Sequence, residues 1–177
     1  ARGLVERDGS GRPVRMTGTH VDVTELERAR EAEREASLAR DAALDRLRLL
    51  FERMTLACLV IAPDGTTQEW NPAAERIFGW SRAEVLGRNV LELMVPEESR
   101  PWLAAFFARL AASRESEGGT GENLTKDGRR ITCEWHDTPL YDDSGRCVGI
   151  LAMALDVSER VAAEKEVRAG RARLGRL

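Results

Sequence analysis

The sequence predicts an α+β domain, an antiparallel sheet with its helices packed over one face, set between two charged helices. Three observations predict it. Strand-like runs are joined by three tight turns, which require antiparallel neighbours. The order of elements, two strands, a helical block and then three strands, segregates the helices to one side of the sheet. Residues 51–158 hold all four Trp, all four Phe and the single Tyr of the 177 residues, so the core lies there.

Residues 1–24 contain a turn, DGSG at 8–11, and an extended run, VRMTGTHVDVT. Setting Ser10 on Ser144 aligns SGRPVRMTGTHVDVTE with SGRCVGILAMALDVSE without a gap, and Thr24 falls on Ser158. One unit explaining two stretches is a repeat. Residues 1–23 are therefore predicted to be the last hairpin of an upstream copy of the same domain, expected to fray or to pack on a neighbour because a lone hairpin is marginal in water.

Between residues 19 and 62 there is no Gly or Pro, and the stretch from Thr24 is dense in strong helix formers. Thr24 with Glu27 makes a capping box that sets the helix start. Steps of three and four give Leu26, Ala29, Glu33, Ala36, Arg40, Ala43, Leu47, Leu50 and Met54, a heptad seam weakened by Glu33 and Arg40. A helix of roughly 45 Å at about 1.5 Å per residue has little else to bury. Residues 24–50 are predicted to be a parallel two-stranded coiled coil; a solvated single helix is the alternative.

Within 51–158 the turns are APDGT at 62–66, KDG at 126–128 and DDSG at 142–145. Asn71 reads as an N-cap before Pro72. Ser81 and Glu84 form a capping box on a segment ending at Gly87. EESRPWLAAFFARLAAS then predicts a longer helix with Trp102, Phe106 and Leu110 near one face. Residues 159–177 are predicted to be an output helix, with Ala163, Val167, Gly170, Leu174 and Leu177 on a seam equivalent to the upstream one.

EWNPAAERIFGWSRAEVLGRNV at 69–90, KDGRRITCEWHDTPLYDDSGRCVGILAMALDVSER at 126–160 and DGSGRPVRMTGTHVDVTE at 8–25 together resemble a PAS domain with its C-terminal PAC motif. The resemblance implies a PAS fold with a five-stranded sheet in the order 2-1-5-4-3 and a ligand cavity between sheet and helices. It also implies membership of a multidomain bacterial sensor, a histidine kinase or a cyclic-di-GMP enzyme. In that family an Asp-apolar-Ser/Thr junction couples the last strand to the output helix. Asp156 with Ser158, and Asp22 with Thr24, occupy it here; each Asp also suits a helix N-terminus.

Cofactors can be weighed by position. Flavin-binding light sensors of the family carry a photoreactive Cys in G-R-N-C, whereas this chain has Gly87-Arg88-Asn89-Val90, which disfavours a photoactive flavin. Haem-binding relatives supply a His from the long helix, and VPEESRPWLAAFFARL has none. The two histidines are His20 and His136, the latter in strand EWHDT, where a surface role is the ordinary one. Noncovalent FAD remains open because Trp70, Trp102 and Trp135 are placed to wall a flat ring, and so does a small metabolite. The polar groups expected near the cavity are Asn123, Thr125 and Cys133. Its expected apolar wall is Ile61, Ile77, Phe78, Leu91, Met94, Trp102, Phe106 and Leu151.

A net charge of -3 with interleaved signs argues against nucleic acid. The longest apolar run, LACLVIA at 56–62, is far short of the roughly 18 residues a membrane helix needs, so no membrane contact is expected from this segment. Three cysteines, Cys58, Cys133 and Cys147, form no C-x-x-C pair, which disfavours a zinc site or disulfide framework and fits the reducing cytoplasm. The chain opens on Ala1 without a leader, which predicts a piece of something longer. No catalytic constellation and no metal cluster is visible. The expected function is a signal-relay module, forming homodimers through both flanking helices and passing a ligand or upstream signal to a downstream kinase or cyclase domain. A ligand-free dimerisation module is the alternative.

Overall fold

Four short Asp- and Gly-bearing turns set the strand pairings of this chain, and they share one construction. The computed structural model describes residues 2–19 and 24–174, with side chains for 4–18 and 24–169; His20, Asp22 and Leu177 lie outside the described residues. The chain divides into two units, residues 1–47 and 48–177.

In the first unit β1 (Arg2–Arg7) pairs antiparallel with β2 (Pro13–Thr19). Asp8 Oδ1 accepts from the Ser10 amide at 2.9 Å, the Ser10 hydroxyl at 2.7 Å and the Arg12 amide at 2.9 Å, and Gly11 takes φ of 83°. The DDSGR turn of the second unit repeats this bond for bond. Asp142 Oδ1 accepts from the Ser144 amide at 3.0 Å, its hydroxyl at 2.6 Å and the Arg146 amide at 3.0 Å, with Gly145 at φ 79°. The left-handed glycine after an Asp-led turn inserts the extra residue that matches hairpin twist to strand twist. The helix α1 (Thr24–Arg53) opens on Thr24 and has no buried residue.

In the second unit β3 (Ala57–Ile61), β4 (Thr67–Trp70), β5 (Glu117–Leu124), β6 (Arg130–Tyr141) and β7 (Cys147–Asp156) form one antiparallel sheet in the order β4-β3-β7-β6-β5. Counted within the unit, this is the expected order 2-1-5-4-3. The helices α2 (Pro72–Phe78), α3 (Arg82–Val85), α4 (Val90–Met94) and α5 (Arg100–Ser113) lie between β4 and β5, with a 3-10 turn at Glu97–Ser99 before α5. They cover the face carrying Leu59, Ile61, Ile131, Cys133, Ile150, Ala152 and Ala154. The last helix, α6 (Ser158–Leu174), leaves from the end of β7.

Asn71 is fully buried and does more than cap α2. Its Oδ1 accepts from the Ala74 amide and from the Cys58 amide, each at 2.9 Å, while Nδ2 donates to the carbonyls of Leu56 at 3.0 Å and Phe51 at 3.3 Å. One side chain thus ties the end of α1, the start of β3 and α2 together. The helix α5 differs from its sequence expectation. Phe107 and Leu110 turn inward, Phe106 is half-buried, and Trp102 stands 67% exposed. WLAAFFARLAA is apolar on every side, so periodicity specifies no unique buried face, and the sheet selects one.

Candidate ligand cavity and the junction with the last helix

A cavity of about 290 Å³ lies between the sheet and helices α4 and α5. The sheet contributes Leu59 and Ile61 from β3, Ala152 from β7 and Trp135 and Asp137 from β6; α4 contributes Val90 and Met94, and α5 contributes Leu103, Phe106 and Phe107. Val95, Ser99 and Trp102 also line it, and the remaining wall is β5, residues Gly118 to Asn123. Strand alternation explains the space. Gly119 stands opposite Trp135 and Gly121 opposite Cys133 on the inward face, and a Cβ at either would meet nothing within 4 Å. The cavity is the volume of side chains that β5 omits.

Asn123 and Asp137, both buried polar residues of the lining, are in different states. Asn123 is satisfied: its Oδ1 accepts from Trp135 Nε1 at 3.0 Å and its Nδ2 donates to the Met94 carbonyl at 3.3 Å. It fixes the Trp135 ring, which also stacks on Phe78 with ring centres 6.0 Å apart. Asp137 is only 6% exposed, and its carboxyl makes no hydrogen bond or ion pair among the described residues. Burial, and then the charge of Glu117 opposite it on β5, pushes its pKa up to about 7.

At the other end of β6 lies the junction with α6. Asp156 Oδ1 accepts from the Ser158 amide at 2.9 Å and the Ser158 hydroxyl at 2.6 Å, and the same hydroxyl oxygen accepts from the Thr132 amide at 2.9 Å. The Val157 amide donates to the Thr132 carbonyl at 2.8 Å, and Arg160 of α6 pairs with Glu134 of β6 at 2.6 Å. The helix α6 is therefore fastened to β6, the strand that carries Trp135 and Asp137.

Of the residues expected to form the pocket, the structure brings Ile61, Met94, Trp102, Phe106, Asn123 and Trp135 to the cavity. The others sit elsewhere for identifiable reasons. Leu91 is one residue round α4 from Val90 and packs into the core, whereas Val90 and Met94, four apart, share the lining face. Leu151 falls on the opposite face of β7 from Ile150 and Ala152. Phe78 packs behind Trp135, and Ile77 packs against the core. Thr125 is spent in its own turn, bonding the Arg129 carbonyl and amide at 3.1 Å, and Cys133 is enclosed in the core cluster. Asp137 was missed. Alternation along β6 places it on the face of Cys133 and Trp135, which is the signal that points to it.

The lining residues can be matched to the cofactors of the family. Val90 occupies the cavity wall at the position where an adduct-forming Cys would stand, and no cysteine lines the cavity among the described residues. His136 points away from it, since Trp135 and Asp137 on either side line it, and its side chain is 68% exposed. Neither a histidine nor a cysteine thus lines the cavity among the described residues. No group of three or more metal-ligating side chains occurs among the described residues, and no described helix is long and apolar enough to cross a membrane.

A five-stranded antiparallel sheet with helices over one face, an apolar cavity beneath them and a helix fastened to the last strand pair define a sensory module. The chain belongs to the PAS fold family, whose model matches residues 45–157. It is similar to the bacterioopsin transcriptional activator of Halobacterium salinarum, 30% identical over 107 residues, or 60% of this chain and 16% of that protein. It is likewise similar to the sensor protein FixL of Bradyrhizobium diazoefficiens, 30% identical over 109 residues, or 62% of this chain and 20% of that protein. It thus spans a fifth or less of either relative's length. The crystal structure of a PAS domain from Colwellia psychrerythraea shares the fold, with a TM-score of 0.61 at 23% identity, covering 66% of this chain and 98% of that one.

Proposed function

We propose that this chain is the sensing and relay segment of a larger cytoplasmic sensor, taking a small molecule into its cavity and passing the outcome to a downstream domain through α6. The observation that carries this reading is the fastening of the Asp156-Val157-Ser158 junction to Thr132, because the strand so engaged also forms the cavity wall. Ligand-dependent movement of β6 would bias the position of α6, and a ligand can shift that equilibrium only by its differential affinity for the two states. A histidine kinase is the proposed output, with a cyclic-di-GMP enzyme as the alternative. The cavity volume sits at the lower edge of the roughly 300–1,000 Å³ usual for ligand sites, which favours a small metabolite over FAD. The free thiols suit a reducing compartment.

The proposed assembly is a homodimer through the flanking helices. Leu26, Ala29, Ala36, Ala43, Leu47 and Leu50 are all exposed on α1, as are Ala163 and Val167 on α6. Residues 1–23, with a turn that duplicates the one at Asp142, are proposed to derive from an upstream copy of the domain, 24–50 to be the linker, 51–158 the sensing domain and 159–177 the output helix. Sedimentation over a concentration series tests the dimer: association is expected, and a strict monomer at high micromolar concentration overturns it. Mass spectrometry of the native and denatured protein tests the cavity; a co-purifying small molecule supports the sensing role, and a chain that neither carries nor takes up any ligand supports assembly alone.

A further inference from the structure

Resting on the reading of the cavity as a ligand site, we propose that its occupant is a small apolar amine whose ammonium group pairs with the Asp137 carboxylate. Three features of the site converge on this chemistry. Asp137 is more than nine-tenths buried, lines the cavity and has no partner among the described residues. An unpaired buried carboxylate is costly, and a cation that shares its enclosure removes that cost. Second, no Lys, Arg or His lines the cavity among the described residues. The nearby cations are engaged outside it: Arg109 holds Glu117 at 2.9 Å, and Arg130 holds Glu122 at 2.9 Å and Glu98 at 2.8 Å. A ligand carboxylate would find no counter-ion in the lining and would face Asp137. Third, beside Asn123, Ser99 and the β5 residues Thr120 and Glu122 the lining is mainly aliphatic and aromatic, and Leu103, Phe106, Phe107 and Trp135 supply walls for an apolar body.

The groups facing Asp137 set its proton inventory. Glu117 stands opposite it on β5, with Arg109 of α5 behind Glu117, and its β7 neighbour is the uncharged Ala152. With its pKa near 7, the carboxyl is mostly protonated at a slightly acidic pH. Entry of an ammonium group favours the carboxylate, so the proton leaves the site for solvent as the ion pair forms.

The test uses the full chain and three probes of one shape: 2-phenylethylamine, 2-phenylethanol and phenylacetate. Calorimetric titration in buffers of different ionisation enthalpy is expected to show the amine binding about ten-fold or more tightly than the alcohol, with proton release on binding, and no binding of the acid. Asp137→Asn should abolish both the preference and the proton release, and Gly121→Val, which places a side chain in the cavity, should abolish binding of the amine. If the alcohol or the acid binds as well as the amine, or if Asp137→Asn keeps the preference, the amine proposal falls while the ligand cavity stands. Amine binding that survives Gly121→Val puts the site elsewhere and overturns the proposal. If none of the three binds to the wild-type chain, the amine proposal falls, and mass spectrometry for a co-purifying molecule decides the ligand-site reading separately. The comparison of the three probes on the wild-type chain decides between these outcomes even where a variant does not fold.

Discussion

Thr132 and Ser158 are joined at 2.9 Å, the backbone amide of Thr132 donating to Ser158 Oγ, while the Thr132 carbonyl accepts from the Val157 amide at 2.8 Å. One residue of β6 thus holds both sides of the turn from β7 into α6. Removing the hydroxyl in Ser158→Ala strands a half-buried amide, at a cost of about 1–3 kcal/mol. Denaturant unfolding is expected to show that loss, and hydrogen exchange to show faster exchange at Thr132 and in the first turn of α6. Ser158→Thr, the residue found at the matching position of the upstream repeat, should retain both.

Asn71 is expected to be among the least replaceable side chains of the second unit. Asn71→Ala leaves the Cys58 amide and the Leu56 and Phe51 carbonyls without their partner and removes the cap of α2. The buried Cys58 amide costs about 1–3 kcal/mol when orphaned, and the part-buried Leu56 and Phe51 carbonyls and the lost cap add to it, so a total of roughly 3–5 kcal/mol is expected. The urea midpoint of the variant reads this directly; a loss under about 1 kcal/mol would mean that only the helix cap mattered.

Asp137 makes stability fall as pH rises. Its carboxyl titrates near the ordinary 3.8 when unfolded and near 7 when folded, raised by burial and then by Glu117. The folded state therefore binds the extra proton between these values. Stability is unaffected by this group below about pH 4, declines as pH climbs toward 7, and levels off above it with a loss of up to about 4 kcal/mol. Unfolding of wild type and Asp137→Asn at pH 5 and pH 8 checks it: the difference between them is expected to move in favour of the variant at the higher pH.

The cysteines should separate by access and acidity. Burial pushes Cys133 up to about 12, with the Asp156 charge adding to it, and burial also raises Cys58; Cys147 is only partly buried. A thiol held protonated reacts slowly with alkylating reagents. In the native protein at pH 8, Cys147 is expected to be labelled first, and Cys58 and Cys133 only on unfolding. Rapid labelling of Cys133 would contradict the enclosed core position.

The turns, the N-cap at Asn71 and the helix starts were legible because each is written in adjacent residues: an Asp, Ser or Asn accepting amides two or three positions on, followed by a glycine that tolerates positive φ. Asn123 and Trp135 could be expected near the cavity because alternation assigns a strand residue to a face. The face of α5 was not legible, because an all-round apolar helix offers the sheet several choices. Leu91, Leu151 and Thr125 were expected in the cavity and lie elsewhere, since a face and a neighbouring element do not say which side chain is covered by another.

Local chemistry, carried by residues close together in the chain, thus determined the order of elements, the antiparallel pairing and the repeated junction at Asp156. Tertiary structure alone decided where the empty space lies and what borders it. Gly119 and Gly121 leave volume because α4 and α5 pack over the sheet without filling it there, and Asp137 stays without a partner among the described residues while Arg109 holds Glu117. Burial and partnership belong to the folded arrangement of segments distant in sequence, and so does the perturbed acidity that follows from them.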